Sequence, residues 1–415
     1  MPGSPFRIII IGGGAAGYMA AISAKTHAPE ADVQLLEKSD KWLAKVRISG
    51  GGRCNVTHHC AEPRKLARHY PRGEAFLRKT FTVWGQPQTV EWFARRGVEL
   101  KIESDGRMFP VTDDSRTVID ALQDAARKLG VVAQGQCPVT EMQRVAGQAE
   151  GAHWSLTTPG GKRTANRVVV ATGGSPKDAG LAWLRELGHE VVPAVPSLFT
   201  FNLPNDAVRE LMGVVAPRVR LRIAGSKLES TGPLLITHWG FSGPAVLRLS
   251  AFGARVLHDL GYVYTVQVDW LGELDEGAAR ERLIMHVRAH PKRQVLNAVT
   301  FELPARLWSY LLLRAGIALE KPLGELGKKH LDRLLDVLTN DRYSASGKTT
   351  FKDEFVTAGG VALHQVEPTT LESRVVPGLH FAGEVLDIDG ITGGFNFQAA
   401  WSTGWLAGRS ATLGS

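Results

Sequence analysis

The chain has 415 residues, 44% hydrophobic and 22% charged, a composition that excludes a disordered or fibrous protein. Its 49 basic and 41 acidic side chains leave +8, which tolerates anionic partners but, over this length, does not establish nucleic-acid binding. The 45 glycines gather in a few tight runs, so they read as main chain brought close to a ligand rather than as flexible filler. Three cysteines (Cys54, Cys60, Cys137) with no CxxC pair exclude a disulfide framework. Met1–Arg7 lacks a signal-peptide pattern, and no apolar run reaches the roughly 18 residues that span a bilayer. A soluble, cytoplasmic protein is the expectation.

In chain order, Phe6–Ile11 is an apolar, β-branched run that predicts a buried parallel strand. Gly12-Gly13-Gly14-Ala15-Ala16-Gly17 follows, then a helical stretch from Tyr18 to His27, and a second strand, Val33–Leu36, ending in Glu37. Residues 88–96 and 115–129 read as helices, and 98–111 as a hairpin around Ser104-Asp105-Gly106. Strand-like pieces at 131–145 and 153–158 lead into Arg167–Ala171. The composition shifts near Pro193-Ala194-Val195-Pro196 and is strand-like to about residue 271. There Arg218, Arg220 and Arg222 alternate with Val219, Leu221 and Ile223, predicting one solvated and one buried face. From 276 to 340 the pattern is helical, with Leu331, Leu334, Leu335 and Leu338 on one core-facing side. The predicted architecture is α/β, a Rossmann-like domain over 1–192 and 350–415. An insert over 193–349 interrupts it, β-rich at 193–275 and helical at 276–349.

Gly12-x-Gly14-x-x-Gly17 stands between a strand and a helix, the context a dinucleotide fingerprint needs. Gly12 makes the turn, Gly14 lets a pyrophosphate approach, Gly17 packs helix on strand, and the helix N-terminus at Ala15 and Ala16 faces the phosphates. Glu37, with Lys38 beside it, is placed to accept the ribose hydroxyls of an adenosine. Ala171-Thr172-Gly173-Gly174 follows a buried strand, and Gly378–Glu384 is a strand delivering an acid. Both features suit an extended FAD better than NAD, and the absence of a second GxGxxG argues against twin Rossmann domains.

At these residues the sequence resembles the BaiN/YhiN-like flavoproteins, also described as aminoacetone-oxidase-like. The carriers are Gly12–Gly17, Ser49-Gly50-Gly51-Gly52-Arg53-Cys54-Asn55-Val56-Thr57, Ala171–Gly174, Thr237–Ala245, Thr357–Val361, Gly383–Asp387 and Gly393–Gln398. The resemblance implies a two-dinucleotide-binding-type fold with a cap domain and non-covalent FAD. The Lys41–Arg47 loop departs from the family's glycine-arginine-lysine turn, which puts contacts from that loop in doubt.

Flavin chemistry needs a dipole where the reduced ring becomes anionic. Gly393-Gly394-Phe395-Asn396 opens a helix-compatible run, and the N–H groups of Gly394, Phe395 and Asn396 are the candidates. Glu384, with Gly383, is expected to hold ribityl hydroxyls, while Asp387 and Asp389 either assist or close a polar turn. In the loop Ser49–Asn55, Arg53 and Asn55 are candidates for pyrophosphate or ring. Cys54 reads better as a buried small residue than as a reactive thiol. Cys54, His58, His59, Cys60 and His69 lack metal-ligand spacing, so no metal is expected.

His238 is the candidate catalytic proton carrier, with a structural histidine as the alternative. The expected activity is hydride exchange between flavin N5 and a small molecule, with an amine such as aminoacetone as the candidate substrate and oxygen or NAD(P) as electron partner. The alternatives are reduction of a carbon–carbon double bond and an FAD protein associated with RNA. No RRM or KH signature supports the last, and the sequence does not specify the oligomeric state.

Overall fold

Isoleucines 8 to 10 are fully buried, and their strand, β1 (Arg7–Ile11), is the middle of a five-stranded parallel sheet. This is a computed structural model that describes residues 6–145, 153–175, 178–272, 274–349 and 356–413. With β2 (Asp32–Leu36), β3 (Val132–Gln134) and β4 (Arg167–Val170), and with β5 (Val191–Ser197) and β6 (Val356–Val361) pairing apart, the sheet is completed by β7 (Leu379–Phe381). Its order is β7-β4-β1-β2-β3. The register Ile11↔Leu36 and Ile11↔Val170 brings the strand ends level, so Gly12, Glu37 and Ala171 emerge along one sheet edge. Ligands of open α/β sheets bind at that carboxyl edge.

Helix α1 (Ala15–His27) begins three residues before its predicted start, because the extended Gly14 already serves as N-cap. Further along lie α2 (Pro63–Ala67), α3 (Glu74–Val83) and the C-terminal α4 (Phe395–Ser410). Helices α1 and α4 meet at main-chain contact. A Cβ on Gly404 would lie 2.5 Å from the Ala16 carbonyl oxygen, and one on Gly408 would lie 2.1 Å from that of Ala20. The pairing Ala16/Gly404 and Ala20/Gly408 means that the helices run in the same direction. The N-terminus of α4 therefore overhangs that of α1 by about 12 Å at 1.5 Å per residue.

The chain divides into two compact units, Met1–Ser197 with Lys352–Ser415, and Leu198–Phe351. The predicted start of the insert at 193 falls inside β5, which pairs antiparallel with β6 from Val191↔Val361 to Ser197↔Val356. That pairing holds the segment in the first unit; residue 350, the other predicted boundary, lies outside the described residues. The second unit is built on a seven-stranded sheet whose pairings are all antiparallel. Val219, Leu221 and Ile223 share its core with Leu334, Leu335 and Leu338 of the helix Lys328–Asn340.

The other face of that arginine-bearing strand departs from the expectation of a plain solvated stripe. Arg220 and Arg222 line a cleft with Asp269, Glu276, Asp332 and Asp336. Arg220 pairs with Asp269 at 2.9 Å, and Arg218 reaches Glu302 at 3.5 Å. Acidic side chains thus compensate the stripe, which removes it as a footing for RNA.

One core residue of the first unit couples stability to pH. His380 in β7 is buried next to Arg167, and burial pushes its imidazole down from 6.5 to about 3. The unfolded chain takes up a proton below pH 6.5 that the folded chain refuses, so stability falls with pH. The loss amounts to about 2 kcal/mol between pH 6.5 and 5. His380→Phe is expected to flatten urea-denaturation stability against pH by that amount between pH 7 and 5. An unchanged slope would show that His380 is not the group responsible.

Candidate active site

Gly12 leaves β1 with φ +114°, and a Cβ there would sit 2.4 Å from the Ala171 carbonyl oxygen, so only glycine fits beside β4. Gly17 is closed in equally tightly, its absent Cβ 1.8 Å from the Gly12 carbonyl oxygen. Gly14 is the opposite case: a Cβ there would meet nothing within 4 Å. The first-turn N–H groups of α1, which no helical carbonyl can reach, open onto that space.

Glu37 is held for its task. Its Oε2 accepts the Gly13 N–H at 2.8 Å, and its Oε1 accepts the N–H and hydroxyl of Ser39 at 3.0 and 2.8 Å. A carboxylate has about four acceptor sites, so Glu37 retains one for a sugar hydroxyl. Beside it lies a cleft of about 270 Å³, lined by Gly12, Glu37, Lys38, Val139, Thr172, Gly173 and Trp183 among others. Val139 and Trp183 had no signal in a motif. The Cys137–Thr140 segment was nonetheless findable, because it follows β3 at the carboxyl edge of the sheet.

The departing loop Lys41–Arg47 contributes after all. The Leu43 N–H donates to the Gly13 carbonyl at 3.0 Å, and the Trp42 ring fills the space a Gly13 side chain would need. Lys45 Nζ lies 2.6 Å from Glu384 Oε2. Glu384 also neighbours Gly173 and Gly174, and a Cβ on Gly383 would lie 3.0 Å from that of Ala16. Three sequence-distant segments thus converge on the α1 N-terminus.

The loop Ser49–Asn55 is tied down differently from the expectation. Gly51 and Gly52 face open space, whereas Gly50 packs on Phe109. Arg53 is not directed at a pyrophosphate: it pairs with Glu103 at 2.6 Å and stacks on Phe109 at 3.9 Å. Cys54 is fully buried, and burial pushes its thiol up to about 12, so it is an inert packing residue. With its amide assigned from the surrounding donors and acceptors, Asn55 donates to the Thr57 carbonyl at 2.9 Å and accepts the Gly394 N–H at 3.0 Å. Its side chain therefore joins this loop to α4 instead of reaching the cofactor. Buried bonds extend the seam, from Thr57 Oγ1 to Gln398 Oε1 at 2.6 Å and from Trp401 Nε1 to the Val56 carbonyl at 2.9 Å.

At the head of α4, Gly394 takes φ +89°, and a Cβ there would lie 2.6 Å from the Thr57 carbonyl oxygen. Because Asn55 already takes the Gly394 N–H, two of the three predicted N–H groups, those of Phe395 and Asn396, remain for a ligand. The Asn396 side chain closes the turn through both Gly390 main-chain groups, at 2.8 and 3.0 Å. Phe395 is buried, with His58 and His69 stacked on it at 4.6 and 4.3 Å. His58 Nδ1 also lies 3.2 Å from the Gly393 carbonyl, and burial lowers its pKa.

The two aspartates separate. Asp387 is half-buried, its N–H bonded to the Val361 carbonyl at 3.0 Å. Asp389 is fully enclosed, paired with Arg72 and accepting from Ser197 Oγ at 2.7 Å, so its carboxylate is closed to a cofactor. Burial drives its pKa up, against the pull of Arg72. His238 lies in the second unit, exposed, its ring edge-on to Trp239 at 4.3 Å. Among the described residues no group of three His, Cys, Asp or Glu is placed to hold a metal. No described helix is long and apolar enough to cross a membrane.

The residues fit FAD. A side-chain-free cradle at Gly14 opens on a helix N-terminus, an acid with a free acceptor site borders a cleft at the sheet edge, and a second helix N-terminus stands further along. The fold and this site define an FAD-dependent oxidoreductase of the Rossmann type.

The chain belongs to the HI0933-like Rossmann-domain family, whose model matches residues 6–410. It is 31% identical over 413 residues to a 3-dehydro-bile acid delta(4,6)-reductase of Clostridium scindens, covering 98% of each chain. It is 30% identical over 414 residues to a ribosomal RNA dihydrouridine synthase of Escherichia coli, covering 97% of each. Among solved structures, 3-ketosteroid delta1-dehydrogenase from Sterolibacterium denitrificans shares the fold, with a TM-score of 0.51 at 13% identity over 98% of this chain and 99% of that one.

Proposed function

We propose that this protein reduces a carbon–carbon double bond conjugated to a carbonyl. One observation carries the reading: two relatives aligned over nearly their whole lengths are named for such reactions on unlike molecules, a steroid acid and a uridine. In both, the double bond is polarised by a nearby carbonyl. Bound, reduced FAD would supply the hydride that such a double bond takes at the carbon far from the carbonyl. This chain's part is to hold the diphosphate at the α1 N-terminus, the adenosine ribose at Glu37 and the ribityl hydroxyls at Glu384. The N–H groups of Phe395 and Asn396 would stabilise the negative charge of the reduced flavin.

The carbon next to the carbonyl then needs a proton. His238 is the residue we propose for it, since an imidazole is suited to proton transfer near neutrality.

The test is anaerobic: reduced protein is mixed with a conjugated steroid enone, with a uridine-containing RNA, and with buffer. Oxidised protein is mixed in parallel with aminoacetone. Return of the yellow flavin spectrum with an enone or uridine, and no bleaching by aminoacetone, is expected. Bleaching by the amine with no response to either double bond overturns the reading. His238→Ala is expected to slow reoxidation by about 100-fold or more without loss of bound flavin.

A further inference from the structure

The segment 58–79 carries six Lys/Arg side chains against two glutamates, half of the chain's net excess of +8. It wraps the head of α4: His58 and His69 stack on Phe395, the His69 carbonyl accepts the Ile391 N–H at 3.0 Å, and Gly73 abuts Ile388. Arg72 is committed to Asp389, and Lys65 to Glu62 at 2.7 Å. Arg64, Arg68, Arg78 and Lys79 are exposed and have no acidic partner among the described residues. Arg64, Lys65 and Arg68 share the field of a single carboxylate, Glu62, so the patch stays positive.

We infer that the surface formed by α2, α3 and the turn between them binds the phosphate backbone of an RNA whose uridine is the substrate; this rests on the double-bond reading above. Guanidinium and ammonium groups without partners release counterions when they meet phosphates. The exposed imidazole of His59 beside them offers a face on which an unstacked base can lie. A lipid surface fits less well. The apolar side chains of this segment, Leu66, Phe76 and Leu77, are buried, leaving nothing to insert between acyl chains. The arginine stripe of the second unit, compensated by Asp269 and Glu302, is the internal contrast.

The experiment uses the flavin-loaded, full-length protein and a fluorescently labelled RNA hairpin with a uridine-rich loop, followed by anisotropy across a salt series. Arg64→Ala/Arg68→Ala and Arg78→Ala/Lys79→Ala are each expected to weaken binding about tenfold and to lower the log–log salt slope by about 2. Arg218→Ala should change neither quantity. Flavin content and circular dichroism report that each variant is folded.

Absent binding at low salt, affinities unmoved in both double variants, or equal retention on anionic vesicles would overturn the surface. If the wild-type protein binds RNA in this charge-dependent way yet neither enone nor uridine reoxidises it, the double-bond reading fails and takes the uridine's role with it, while the phosphate-binding surface stands. If an enone reoxidises it but RNA does not bind, the surface fails alone.

Discussion

Gly14→Val is expected to give a folded protein without flavin. The space a side chain would occupy there is empty, and the glycine's φ of −89° is open to any residue, so the apoprotein should lose about 1 kcal/mol at most, the cost of a poor N-cap. That same space faces the α1 N–H groups, and filling it excludes the diphosphate. Cofactor affinity should fall at least 100-fold, about 2.7 kcal/mol. Gly12→Val differs in kind. Its Cβ overlaps the Ala171 carbonyl and its backbone angle is strained, so it should unfold the sheet edge as well as empty it. Thermal melts of the two apoproteins, read beside flavin absorbance, separate these outcomes. A yellow Gly14→Val protein would place the diphosphate elsewhere.

The largest expected loss of stability is at Arg72. Its guanidinium is the partner of a carboxylate, Asp389, that has no exposure. Arg72→Ala leaves that charge buried, at a cost of about 3–5 kcal/mol near neutral pH. The sign with pH follows. In the variant the folded carboxyl is raised further above its unfolded value of 3.8, because burial acts unopposed by Arg72. The penalty is full above the raised pKa and fades as the carboxyl takes up a proton. The stability gap to wild type should therefore narrow from pH 7 to pH 5, and Asp389→Asn in the Arg72→Ala background should recover part of it. A gap that is constant with pH would assign the loss to packing instead.

These residues also show what a linear sequence carries and what it withholds. The strand at Arg7–Ile11, the glycine turn and Glu37 are legible because backbone geometry and hydrophobic period act over a few neighbouring positions. The partners of Arg53, Asn55 and Asp389 are not, because each lies across the fold. Arg53 meets Glu103, Asn55 meets Gly394, and Asp389 meets Arg72 and Ser197. A charged or amide side chain in a glycine loop is equally compatible with a ligand and with a distant protein group, and only packing decides. The Lys41–Arg47 loop errs in the other direction. Its divergent spelling hides Lys45, whose contact with Glu384 depends on position and charge and not on the family's turn. The arginine stripe is legible as a strand face, but the acids that meet it, Asp269 on the neighbouring strand and Glu302 far along the chain, are not.

The antiparallel pairing of β5 with β6 sets Ser197 opposite Val356, so the peptide departs for its excursion and comes home at adjacent points of one ladder. A short hairpin turn in place of everything between them would leave the parallel sheet, its glycine edge and the helices α1 and α4 uninterrupted. Such a miniature would still be expected to turn yellow, and the excised portion could be exchanged among relatives as a cassette, retargeting the chemistry without rebuilding the machine that performs it.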